Sequence, residues 1–284
     1  MFRTYVLMLF TYFFFHLQAS GNISKYINMK YAYVSKIAVV LLGILFLVQA
    51  YDTIRSNKED TEELSCDCGH DHGHEKDKPL FQRWFIYFLF IFPLISGFFF
   101  PIATLDSTLV KSKGFTFKPM QQIESADRYA QTQYLRPDTS IYYGKDGYEE
   151  EMAKELKMFS AKKELNLDDK LFLKGMETIY RYPGDFLGKT VEFDGFAFNG
   201  ENVDKRQVFI LRFGIIHCVA DSGVFGMLVE FPKDENIPDD KWLHVKGTLS
   251  SIYYQPFKST IPVLNVNNWS SIEKPKDPYV YRGY

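Results

Sequence analysis

The stretch WFIYFLFIFPLISGFFFPIATL, Trp84 to Leu105, decides the fold class: it is 22 residues long and carries no charged side chain. A helix needs about 20 such residues to cross a bilayer core, because lipid offers an open backbone no hydrogen-bond partner. Lys78 and Arg83 precede the run, Trp84 opens it as an interfacial aromatic does, and Pro93, Gly97 and Pro101 predict a bend. Two more apolar stretches lie toward the N-terminus. Tyr33 to Ala50 has an unbroken apolar centre, Ile37 to Val48, between Lys36 and the polar Gln49, Asp52 and Arg55. Met1 to Leu17 is near the short limit for a span and carries Arg3 at its start. It reads either as a retained helix or as a signal peptide cleaved after Leu17-Gln18-Ala19.

These stretches predict a membrane α-helical region over residues 1–105, with helices at about 1–17, 33–50 and 84–105. Three spans imply a multi-pass protein of the cell membrane. Basic residues divide six and six between the two sides, so the positive-inside rule does not orient the chain. The signal-anchor and signal-peptide readings both place the C-terminal domain outside the cytoplasm, and that is the expectation.

The net charge of the chain is -2, and from Thr104 onward 24 Lys and Arg face 26 Asp and Glu. No basic domain is hidden in the average, which argues against nucleic acid as a partner. Three cysteines are an odd number, and two of them form Cys66-Asp67-Cys68, a spacing better suited to metal or redox chemistry than to a disulfide framework.

That pair opens a tract in which Cys66, Cys68, His70, His72 and His74 fall within nine residues, with Asp67, Asp71 and Glu75 between or beside them. Thiolate and imidazole together suit zinc or another transition metal. A structural zinc site joins two separated ligand pairs, whereas this tract is one run inside a loop with 9 acidic and 5 basic residues from Asp52 to Arg83. It reads as an exchangeable metal collector or as a solvated linker.

Residues 106–186 read as a mixed linker and helical region, punctuated by Pro119, Pro137, Gly144 and Gly147. Met152, Leu156 and Phe159 recur at helical spacing after the acidic run Glu149 to Glu151. A second helix follows Asp168, with Phe172, Met176 and Ile179 on one face, and stops before Pro183-Gly184. From residue 187 to 284 the period becomes that of strands. Five are expected: around Val191 to Phe196, Val208 to Ile216, Phe225 to Phe231, Trp242 to Leu249 with a bend at Gly247, and Ile261 to Val266. Five short strands with glycine-containing turns fit a small all-β domain, an OB-like barrel. That shape carries no function by itself.

The most chemical part of this region is His217-Cys218-Val219-Ala220-Asp221. Its two readings are a metal or ligand contact made by His217, Cys218 and Asp221, or a packed cysteine beside a structural turn. Adjacent strand residues face opposite ways, so His217 is poorly placed to act as a base for Cys218. A membrane-attached hydrolase would need a nucleophile, a base and an oxyanion site in one place. The expectation is therefore that the protein is not an enzyme.

Phe2-Arg3 with its apolar run, Gly21 with Ile23 and Tyr26-Ile27, Leu105-Asp106-Ser107, Gly195-Phe196, Cys218-Val219-Ala220-Asp221 and Pro278-Tyr279-Val280-Tyr281 carry a resemblance. Over nearly the whole chain the sequence resembles a bacterial family of two-component permease accessory subunits, membrane-anchored domains of unknown function of the DUF1980-like type. Where that family typically has two adjacent cysteines, this chain has His217-Cys218. The resemblance implies N-terminal helices, a C-terminal β domain and a multi-spanning membrane permease as partner. Together with the short loop, it leads to a non-catalytic subunit of a transport complex, with a metal-binding accessory or sensor protein as the alternative.

Overall fold

The computed structural model describes residues 2–62, 80–99, 106–113, 115–116, 133–134, 139–140, 145–200 and 204–282. The chain divides into two compact units, Met1–Ala103 and Thr104–Tyr284.

The first unit holds three helices, α1 (Phe2–Ala19), α2 (Ala32–Glu62) and α3 (Leu80–Phe99). A tight 3-10 turn, Asn22–Lys25, follows Gly21, whose φ of 71° is one that a side chain rarely adopts. The chain then enters α2 through Asn28, whose side chain accepts the Lys30 N–H. α1 runs back along α2: Thr4 and Thr53 share a hydrogen bond of 3.0 Å near one end, and the Gln18 amide donates to the Ser35 hydroxyl at 2.8 Å near the other. α3 joins through aromatic rings, with Phe98 5.2 Å from Phe13 and 5.9 Å from Tyr12. Gly97 makes room there, since a Cβ would lie 2.6 Å from the Phe13 ring.

Among the described residues, one helix is long and apolar enough to cross a membrane, Met29–Arg55. This corrects the multi-pass expectation. The 18 residues of α1 include Arg3, Thr4, Thr11, His16 and Gln18, which dilute its apolar content. The apolar part described for α3 is Phe85–Phe99, at 1.5 Å per residue about 22 Å of helix and short of a bilayer core; residues 100–105 of the predicted span lie outside the described part. The external placement of the C-terminal domain depended on counting three spans and falls with that count.

The second unit contains α4 (Ser107–Lys113), β1 (Phe115–Thr116), β2 (Gln133–Tyr134), α5 (Lys145–Ser160), β3 (Glu164–Leu167), α6 (Phe172–Arg181), β4 (Thr190–Phe198), β5 (Gln207–Ile215), β6 (Gly223–Glu230), β7 (Trp242–Tyr254), β8 (Ser259–Ser271) and β9 (Tyr279–Tyr281). Both predicted helices are present with the predicted faces inward: Met152, Phe159, Phe172, Met176 and Ile179 are buried. Asp168 caps the approach to α6, its carboxylate accepting the Lys170 and Leu171 N–H groups, both at 3.0 Å.

β3 to β9 form one sheet in the order β3-β4-β7-β8-β6-β5-β9, and β4 also pairs with β5. The pairings β3/β4, β6/β8 and β5/β9 are parallel. The small all-β OB-like barrel is thus corrected to a seven-stranded mixed sheet with α6 in its core. The sequence reading missed two strands of that sheet. β3 has four residues, of which only Leu165 and Leu167 point inward, and it reaches its parallel partner by crossing over through α6. β9 has three residues. Runs this short leave almost no periodic signal.

Two glycines are demanded by close approach of backbones. A Cβ on Gly226, whose φ is 155°, would stand 2.1 Å from the Ile210 carbonyl oxygen across the β5/β6 ladder. The β7/β8 register shifts between Lys246 and Gly247, where a bend was expected.

All nine residues of β5 are buried, including Arg212. Its guanidinium pairs with Asp169 and lies 5.8 Å from the Phe172 ring and 5.5 Å from the Trp242 ring. A second buried ionic group ties four separate segments together. Glu177 on α6 accepts from the Thr139 N–H at 2.7 Å and the Tyr148 hydroxyl at 2.8 Å, and pairs with Arg282 at 2.5 Å. Arg282 also reaches both carboxylate oxygens of Glu155 on α5 at 3.3 Å. Burial pushes the Glu155 carboxyl above its ordinary range, while Arg282 and Lys174 pull it back.

Candidate functional site

The helical unit carries its functional character on its surface. Along α2, the half-covered positions Ser35, Ala38, Val39, Leu42, Gly43, Phe46, Gln49, Ala50 and Thr53 recur every three or four residues and form one stripe. That stripe is rich in small and polar side chains, and three of its members meet α1: Ser35 takes Gln18, Gly43 passes the Thr11 methyl at 3.9 Å from a notional Cβ, and Thr53 takes Thr4. Most of the large apolar side chains point the other way; Val40 is 61% and Leu47 65% exposed. Small residues inside and large apolar residues outside is the arrangement that lipid favours, because packing rather than water exclusion holds such helices together.

The turn after β5 gathers two of the predicted site residues. The strand ends at Ile215, so strand alternation does not govern the next residues, and Val219–Asp221 forms a 3-10 turn. The Asp221 carboxylate accepts backbone N–H groups from Ile216, His217 and Cys218 at 2.9–3.3 Å. It also lies 2.9 Å from His217 Nδ1; since a carboxylate oxygen accepts, the imidazole proton sits on that nitrogen. Asp221 therefore pins the loop with four N–H groups. Cys218, half-buried, begins the turn as a free cysteine.

These facts correct the metal expectation. His217, Cys218 and Asp221 share a turn, yet among the described residues no group of three or more His, Cys, Asp or Glu side chains is arranged to hold a metal ion. The Asp221 oxygens are directed at backbone donors. Cys66, Cys68, His70, His72 and His74 lie outside the described residues. Among the described residues, neither zinc, nor another transition metal, nor a metal ion as partner is supported.

His244, read from sequence as a partly exposed strand histidine, stands beside Asp194 across the β4/β7 ladder, with 2.6 Å between Nδ1 and the carboxylate. Sequence reasoning gave no role to Arg212, Glu155, Glu177 or Arg282, the buried charges that organise this unit. The one local signal was a lone arginine in the otherwise apolar Val208 to Ile216 run.

The chain matches the DUF1980 N-terminal domain over residues 2–116 and the DUF1980 C-terminal domain over residues 142–282. This protein belongs to the DUF1980 family. It is 62% identical to UPF0703 protein YcgQ of Bacillus subtilis over the whole of both chains. It is 34% identical, over 94% of each chain, to a Streptococcus mutans protein named "Putative two-component membrane permease complex subunit". The partner expectation narrows accordingly. Among the described residues there is one candidate span rather than several, and only a permease-type membrane partner is carried forward.

Proposed function

We propose that this DUF1980 protein is a non-catalytic membrane subunit of a permease complex, held in the bilayer by α2. The observation that carries the reading is the inverted packing of the helical unit, with small and polar residues of α2 against α1 and large apolar residues outward. Such a surface belongs in lipid or against another membrane protein. The streptococcal relative's name supplies the kind of complex. Among the described residues one candidate span is found, too few to enclose a solute pathway, and on this reading the pathway is the partner's. The His217–Asp221 turn is consistent with a non-catalytic role, because its carboxylate is engaged by the backbone of its own loop.

Extraction of a tagged chain in mild detergent tests this. The reading expects a permease-type integral membrane protein in fixed stoichiometry after size-exclusion chromatography, and its loss when large apolar residues on the outer face of α2 are replaced. A chain recovered alone from membranes under conditions that preserve other complexes would overturn it.

A further inference from the structure

Two segments meet at one end of the β unit and carry a surplus of lysine. The first runs from the last turn of α5 into β3, residues 157–164, and the second leads into β4, residues 183–190. They are joined directly: the Lys189 ammonium donates to the Ser160 carbonyl at 2.6 Å, and the Thr190 N–H to the Lys163 carbonyl at 3.2 Å. Together they hold Lys157, Lys162, Lys163 and Lys189 against Glu164 and Asp185. Lys246 draws Glu164 off at 3.5 Å. Lys189 closes the end of α5 and lies 5.1 Å from the Phe186 ring; the other three ammonium groups form no ion pair among the described residues.

The surplus is local, because from Thr104 onward 24 basic residues face 26 acidic ones. Apolar side chains stand in the same two segments. Four large ones are exposed in the described part of the β unit, Met158, Leu187, Val219 and Tyr253, and two of these belong here: Met158 is 39% and Leu187 48% exposed.

We propose that this end of the β unit rests on the surface of an anionic bilayer, with the four lysines against lipid phosphates and Met158 and Leu187 among the headgroups. An anionic leaflet attracts lysines within about a Debye length, roughly 8–10 Å at ordinary ionic strength, and exposed apolar side chains beside them add burial. A free phosphate would use the lysines and gain nothing from the apolar pair. The inference rests on the anchoring of the chain by α2, which holds the β unit where headgroups are at high effective concentration.

The test uses the full chain in nanodiscs of phosphatidylcholine, with or without phosphatidylglycerol. Cys66, Cys68 and Cys218 are replaced by Ser, a spin label is attached through Ala161→Cys, and its collisions with a water-soluble nickel chelate are read. Those collisions fall several-fold when phosphatidylglycerol is present. They recover when Lys157→Gln, Lys162→Gln and Lys163→Gln are combined, and also at high salt in the unaltered lysine background. Lys205→Gln, Lys233→Gln and Lys276→Gln, the same charge change elsewhere on the unit, leave the fall intact. Equal collisions in the two lipids, from protein that co-elutes with the discs, overturn the proposal and leave the α2 anchor standing; protein that does not enter the discs overturns both. Shielding of the label in native membranes, with none in lipid-only discs, assigns the patch to an acidic protein surface and overturns the lipid contact.

Discussion

The two units of this chain use apolar residues in opposite directions. In the β unit, Leu228, Phe209, Ile210 and Val245 are fully buried, and most polar side chains outside the Arg212 and Arg282 ionic groups face water. In the helical unit, Val40, Ile44, Leu45 and Leu47 of α2 are more than half exposed, and Ser35, Gly43 and Thr53 line the inside. The difference teaches what each surface is built to meet: water outside one, a hydrocarbon environment around the other. The same substitution should therefore have different consequences in the two places.

The largest effect is expected at the buried charges of the β unit. Arg282→Ala leaves Glu177 and Glu155 without their shared cation, and breaking a buried pair costs about 3–5 kcal/mol. Replacing Arg282, Glu155 and Glu177 together by Met should recover much of that loss, because the buried charges go together and only the part-exposed Lys174 loses its partner. Thermal melts of the β signal in detergent would check both; equal losses in the single and triple variants would show that packing, not charge, holds this joint.

Leu228→Ala should destabilise the same unit by about 3 kcal/mol, through lost burial and the cavity left behind. Leu45→Ala, on the outer face of α2, should change that melt by less than about 0.5 kcal/mol. Leu45→Arg reverses the sensitivity. A charge at the centre of a span costs about 2.5–3.5 kcal/mol on insertion, so membrane-associated protein should fall while the melt of the β unit stays put. If Leu45→Arg leaves membrane association unchanged, the contrast between the two surfaces is wrong.

The smallest effect concerns pH. Burial raises the Glu155 carboxyl above its ordinary range, against the pull of Arg282 and Lys174. Between the ordinary value and the raised one, the folded chain binds more protons than the unfolded chain, so stability falls as pH rises through that window. Glu155→Gln should flatten this part of the stability profile. A steeper fall in the variant would mean that another group is responsible.

What the sequence disclosed follows the reach of each interaction. Helices α5 and α6 announced themselves through Met152, Phe159, Phe172, Met176 and Ile179, because a buried face repeats locally. Five of the seven strands of the main sheet were legible for the same reason. β3 and β9 were not, since four and three residues leave no period to read and their parallel partners are distant. The joint of Thr139, Glu155, Glu177 and Arg282 was invisible because its members come from separate segments and only the fold brings them together. Of the predicted site, His217 and Asp221 meet, and they do so to fix a turn. The inner stripe of α2 was readable in principle: Gly43 lies inside the apolar run and Ser35 and Thr53 flank it, small residues that mark a side packing closely against another helix.

Photo-crosslinking from α2 tests the central claim most directly. A photoreactive amino acid is placed in turn at Val40, Ile44, Leu47 and Val48 of the full chain, and membranes are irradiated before extraction. A membrane subunit of a permease complex predicts a discrete adduct with one permease-type membrane protein from at least one of these positions, and lipid adducts from the others. Lipid adducts alone at every position, or adducts only with water-soluble proteins, would contradict it.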